Sequence, residues 1–132
     1  MTGQKNYILI VDDNVGVRQL LFDIFCDTGY KVEMATSGAD AIARVHAGIP
    51  ALILLDAKMP GLNGIDTLLE IRKFAPVVPV IIITAYTEQE LIINAKKSGL
   101  IKYHLSKPFD LDELRRLVDS ILHNNNSNTA TK

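Results

Sequence analysis

The chain has one cysteine, no long apolar run and almost no charge imbalance, and each shortage removes a class of protein. Cys26 has no intramolecular partner, so no disulfide braces the fold, and a reducing compartment is favoured. It falls inside an apolar helical stretch and is expected to be a buried thiol, behaving as a small hydrophobe. No apolar run approaches the ~20 residues needed to span a bilayer. Met1 to Tyr7 also lack the basic and apolar regions of a secretory signal, so a cytoplasmic protein without membrane contact is expected. A formal net charge of −1 leaves no global basic field to hold nucleic acid by its phosphates. Any charge that matters must be local.

What is present is a chain of 132 residues, 48% hydrophobic and 22% charged, enough for one domain with a real core and too short for two. The domain is expected to span residues 1–122. His123 to Lys132 is mostly Asn, Ser, Thr and Ala, with nothing to bury, and reads as an unstructured tail. Before it, short apolar runs alternate with longer amphipathic stretches. The runs are Ile8 to Val11, Val32 to Ala35, Leu52 to Leu55, Val80 to Ile83 and Tyr103 to Leu105. Three of them are apolar at consecutive positions, as in strands covered on both faces. Between them, Val17, Leu20, Leu21, Ile24 and Phe25 recur at helical spacing, as do Leu114, Leu117, Val118, Ile121 and Leu122, and both stripes read as core. Thr87 with Glu90 and Asp110 with Glu113 have the spacing of capping boxes. Gly29, Gly48 and Gly99 stand where left-handed helix ends would fall, and Pro60-Gly61 and Asn63-Gly64 mark a tight loop. Five strands alternating with five helices predict a flavodoxin-like, doubly wound α/β domain with a parallel sheet in the order 2-1-3-4-5.

In such a sheet the ligand crevice lies beyond the carboxyl ends of the strands, where the strand order reverses. Strand 1 ends in Asp12-Asp13, strand 3 in Asp56 and strand 4 in Thr84, and strand 5 runs directly into Lys107-Pro108. Three carboxylates are therefore expected to converge, and like charges that close persist when a cation shares them. An all-oxygen donor set without histidine or thiolate at ligand spacing selects a hard cation, Mg2+ over Zn2+. Such an ion and the Lys107 ammonium would neutralise charge on a transferring phosphoryl group, and the Thr84 hydroxyl would donate to one of its oxygens. Asp56, at the tip of the central strand, is placed to attack phosphorus and form an acyl phosphate. Each residue alone has a plain alternative: Asp13 could merely cap the helix beginning near Val15. Independent caps, however, have no reason to gather on four strand ends. His46 and His123 read as surface residues.

These same residues resemble a known family. Ile8 to Asp13 (ILIVDD), Leu54 to Gly64 (LLDAKMPGLNG), Ile83-Thr84-Ala85 and Lys107-Pro108-Phe109 are similar to the motifs of the receiver domains of two-component response regulators, whose fold is CheY-like. The likeness covers about Tyr7 to Leu122 in order. It implies that Asp56 is the phospho-acceptor and that Asp12, Asp13, Asp56 and the backbone carbonyl of Lys58 surround Mg2+. It also implies that Thr84 and Lys107 bind the phosphoryl group, across a cis Lys107–Pro108 peptide. Within the family the chain is similar to the single-domain relay intermediates of sporulation. By that likeness a sensor histidine kinase and a histidine phosphotransferase are the expected partners of a monomer. His104 stands where most members carry Tyr or Phe that turns inward with Thr84, and reads either as a strand histidine half exposed at the sheet edge or as part of a switch or a partner surface. Val17, Leu20, Pro108 and Phe109 are candidates for a helix-bundle contact, with a core role as the competing reading of the first two.

Three rival functions stand beside this one. A receiver could bind its target directly when phosphorylated, without relaying anything. An aspartate-nucleophile phosphatase would carry a second Asp two positions after the first, where this chain has Lys58. A flavin- or nucleotide-binding domain would want a glycine- or hydroxyl-rich loop after strand 1, where this chain has Asp12-Asp13-Asn14.

Overall fold

The computed structural model describes residues 7–27, 29–84 and 89–131. Five strands, β1 (Tyr7–Val11), β2 (Lys31–Ala35), β3 (Leu52–Asp56), β4 (Val80–Thr84) and β5 (Tyr103–Ser106), alternate with five helices. The helices are α1 (Val15–Asp27), α2 (Gly38–Ala47), α3 (Gly64–Arg72), α4 (Gln89–Lys97) and α5 (Leu111–Thr131). All pairings are parallel and the order is β2-β1-β3-β4-β5, as the alternation predicts.

The consecutive apolar residues of β1, β3 and β4 divide between two cores, because successive side chains of a strand point to opposite faces. Ile8, Ile10, Leu52, Leu54, Ile81 and Ile83 pack against Leu21 and Phe25 of α1 and Leu114, Val118, Ile121 and Leu122 of α5. Leu9, Val11, Ile53, Leu55, Val80 and Ile82 meet Ala41 and Val45 of α2, Leu68 and Ile71 of α3 and Ile92 of α4. Each fully buried aliphatic chain contributes roughly 1.5–3 kcal/mol of transfer free energy, so the three central strands anchor the molecule. The register sets their tips level: Val11 pairs with Leu55, Asp56 with Ile83 and Thr84 with Ser106.

Three expectations are corrected. Cys26 is exposed, not buried; it follows Phe25 by one residue, about 100° around the helix, which turns it off the core stripe. Leu20 is 46% exposed, so the core of α1 is Leu21 and Phe25 with Val17 and Ile24 half-buried beside them. Gly29 and Gly99 do take the left-handed conformation, with φ of 92° and 82°, but Gly48 is extended with φ 178°. Its amide still closes α2 onto Arg44 and Val45, while its carbonyl accepts the Tyr7 hydroxyl, which draws the chain straight back toward the sheet. α5 is described as far as Thr131. Once a helix is nucleated each further residue adds a backbone hydrogen bond, so the ladder runs on past Leu122, the last of its residues packed in the core. Asp110 caps α5 by accepting the Asp112 amide at 2.9 Å. The capping pair Thr87–Glu90 begins outside the described residues, as do Ala85 and the first six residues.

Candidate functional site

The buried polar residues among those described are Asp12, Asp56, Thr67 and Thr84, and three of these four stand at carboxyl tips of the sheet. Asp12 follows β1 and is 2% exposed; its amide reaches the Ala35 carbonyl at 3.3 Å, extending the ladder by one bond. Asp13 is exposed and does not cap α1. That task belongs to Asn14, whose Oδ1 accepts the Val17 amide at 3.0 Å and whose carbonyl accepts the Arg18 amide at 3.1 Å. Asp13 is thereby left free for the crevice, and an Asn directly before a helical stripe was the available signal for this. Asp56, 5% exposed, ends β3.

One carboxylate oxygen from each of Asp12, Asp13 and Asp56 lies within 4.8 Å of the others. Lys107 Nζ is 3.6 Å from Asp56 Oδ1, and the Lys107 amide donates to the Thr84 carbonyl at 2.7 Å, which ties the end of β5 to the tip of β4. The Lys107–Pro108 peptide is cis, as expected. The Thr84 hydroxyl is enclosed and has no partner among the described residues. A buried hydroxyl without a hydrogen bond is destabilising, so its place beside the acids suits a ligand oxygen better than a packing role.

The loop after β3 is held by two short contacts. Lys58, exposed, directs its amide toward Asp56 Oδ1 at 3.5 Å, and the Gly64 amide donates to the Ala57 carbonyl at 2.9 Å. A Cβ at Gly64 would run into the Asp56 carbonyl oxygen and come within 2.7 Å of the Ala57 Cα, so only glycine starts α3 this close to the strand tip. Asn63 caps the helix through the Asp66 amide at 2.8 Å.

The electrostatics follow from crowding. Burial first and the Asp12 charge second push the Asp56 carboxyl up to about 6, against the pull of Lys107 and the Lys58 amide. Burial also raises Asp12, opposed by the Asn14 amide and by Lys107. Both carboxyls are held above their ordinary range by burial and by the neighbouring carboxylates, and an all-oxygen donor set of this kind is what a hard divalent ion binds.

Of the other singled-out residues, Val17 and Phe109 are half-buried against the α1–α5 core, while Leu20 and Pro108 are exposed. His104 is half-buried; its Nδ1 is enclosed without a partner among the described residues, and burial, then Lys96, lowers its pKa. His46 is exposed and stacks on Phe74 with ring centroids 3.6 Å apart, and His123 is exposed. Among the described residues no helix is long and apolar enough to cross a membrane.

A parallel 2-1-3-4-5 sheet with acids beyond β1 and β3, a buried hydroxyl on β4 and a lysine after β5 defines a doubly wound α/β protein with an acidic, lysine-flanked crevice. The profile of the response regulator receiver domain matches residues 8–119, and the chain belongs to that family. It is 42% identical over 115 residues to sporulation initiation phosphotransferase F of Bacillus subtilis, covering 87% of this chain and 92% of that protein. It is 37% identical over 122 residues to the transcriptional regulatory protein ZraR of Klebsiella oxytoca, where it spans 92% of its own length and 27% of the longer protein. The receiver domain of NtrX from Brucella abortus superposes with a TM-score of 0.80 at 32% identity, covering 88% of this chain and 98% of that one.

Proposed function

We propose that this receiver takes a phosphoryl group from a phosphohistidine onto Asp56 and passes it on to a second histidine, as the intermediate of a phosphorelay. One observation carries the reading: the carboxylate oxygens of Asp12, Asp13 and Asp56 lie within 4.8 Å of one another, with Lys107 Nζ 3.6 Å from Asp56 Oδ1. In the transfer an Asp56 carboxylate oxygen forms a bond to phosphorus as the phosphorus–nitrogen bond of the donor breaks, and the electron pair of that bond stays on the leaving imidazole. Asp56 must be ionised to attack. Lys107 balances charge on the phosphoryl oxygens, and Thr84, whose hydroxyl has no partner among the described residues, donates to one of them.

Asp12, Asp13 and Asp56, with the backbone carbonyl of Lys58, would hold Mg2+. When bound, that ion supplies the positive charge that relieves the clustered carboxylates and offsets charge on the phosphoryl group. The partners are a sensor histidine kinase and a histidine phosphotransferase, docking over the carboxyl end of the sheet of a cytoplasmic monomer. The exposure of Leu20 and Pro108 supports their part in that contact, with Val17 and Phe109 at its margin. The relay role, and with it a place in sporulation, is supported by 42% identity over a match that covers 92% of the length of sporulation initiation phosphotransferase F.

The test is transfer of labelled phosphate from a phosphorylated kinase. Asp56→Asn is expected to abolish labelling while leaving circular dichroism unchanged, and persistent labelling overturns the assignment. A second reading draws on the match to the much longer ZraR: phosphorylation here would switch a binding surface with no onward transfer. Failure to pass phosphate to a purified histidine phosphotransferase selects it. An aspartate-nucleophile phosphatase is disfavoured by Lys58 at the second position, and steady turnover of a phosphomonoester would reopen that reading.

A further inference from the structure

The turn from β1 into α1 contains a contact that the chemistry above does not use. Arg18, one turn inside α1, sends Nη1 back to the carbonyl oxygen of Asp12 at 2.7 Å. That carbonyl belongs to the peptide joining the two neighbouring acids. On its strand side, the Asp12 amide is held by Ala35, and Asp12 Oδ1 accepts the Asn14 amide at 2.9 Å. On its helix side, Asn14 caps Val17 and Arg18. The start of α1 is thus fastened without the guanidinium, whose bond falls on the one group that sets how the acid pair is turned. A charged donor at this length makes one of the stronger hydrogen bonds available to a carbonyl.

We infer that Arg18 is a positioning residue for the divalent cation: by fixing the Asp12–Asp13 peptide it aims the two carboxylates at Asp56 and so sets the affinity of the site. This rests on the reading of the three acids as a Mg2+ site. Two effects of the guanidinium oppose each other. Its positive charge repels an incoming cation, while its hydrogen bond preorganises the ligands. The charge is half-exposed and screened by water, whereas the bond is short, so preorganisation wins and loss of Arg18 weakens binding.

The chain has no tryptophan, so calorimetry with MgCl2 is the direct measurement. Arg18→Met, which keeps most of the aliphatic stem and removes the donors, is expected to weaken Mg2+ binding about tenfold with its helical dichroism retained. Arg18→Lys, which can still donate to the carbonyl, is expected to recover most of that loss. Should Arg18→Met fail to fold, Arg18→Gln, with a neutral donor, gives a smaller loss in the same direction. A purely structural staple would lower the unfolding temperature and leave the Mg2+ dissociation constant unchanged, and that result overturns the inference. Tighter binding in Arg18→Met overturns it too, since charge repulsion would then dominate. A wild-type protein that binds no Mg2+ removes the metal-site reading and this inference with it, whereas normal wild-type binding with an unchanged variant removes the inference alone.

Discussion

The two ends of the sheet are built on opposite terms. At the amino ends, Tyr7, Leu52 and Val80 are buried in the core, and Arg72 closes the α3–β4 loop by donating Nη1 to the carbonyls of Ala75 at 3.2 Å and Val78 at 2.7 Å. At the carboxyl ends of the same strands, Asp12, Asp56 and Thr84 are buried with their polar needs only partly met. One end is satisfied internally and the other is left wanting a ligand. Stability and chemistry are thereby separated along a strand of five residues, and each end can be altered with a different expected consequence.

The largest effect belongs to the acceptor. Beyond the complete loss of labelling, Asp56→Asn is expected to make the metal-free protein more stable at pH 7, because it removes a buried charge that its neighbours repel; urea denaturation without Mg2+ measures this, and a destabilised variant would contradict the contrast between the ends. Next comes the core joining them. Leu54→Ala, between α1 and α5, is expected to lose about 2–5 kcal/mol in the same assay.

The third effect is a pH dependence with a definite sign. Asp56 keeps its proton up to about pH 6 in the folded, metal-free protein, against roughly 3.9 when unfolded. Between those values the folded state binds more protons, so stability is fully present below about pH 4 and falls as pH rises to about 6, by the order of 1–3 kcal/mol. Mg2+ is expected to restore stability at pH 7 and to add little at pH 4. A flat urea midpoint over that range would show that the acids are not in conflict. The smallest effect is at the far end: Arg72→Met should cost about 1–2 kcal/mol through its two carbonyl partners and leave Mg2+ affinity, read by calorimetry, untouched.

Much of this is legible in the residues themselves. Runs such as Leu52 to Leu55 announce buried parallel strands because burial on both faces abolishes alternation. Asp12, Asp13, Asp56, Thr84 and Lys107 could be gathered at one edge because topology alone puts the carboxyl tips together. What resisted was anything decided by the angle around a helix or by the path of a turn. Val17, Leu20, Leu21, Ile24 and Phe25 make a stripe wider than the core can use, and periodicity does not say that Leu20 falls on its outer margin or that Cys26 lies off it. Gly48 has the residue type of a left-handed cap, yet the Tyr7 hydroxyl on its carbonyl favours an extended path. The reach of Arg18 to the Asp12 carbonyl depends on the turn between them and has no sequence signature.

The seating of Gly64 against the backbone of Asp56 bears on how the crevice can move. With its amide on the Ala57 carbonyl and no room for even a methyl group, α3 abuts the third strand as a beam abuts a wall. It cannot slide along its axis without carrying the strand tip along, so any displacement forced on the backbone at Asp56 is delivered to α3 as rigid motion and not absorbed in the loop between them.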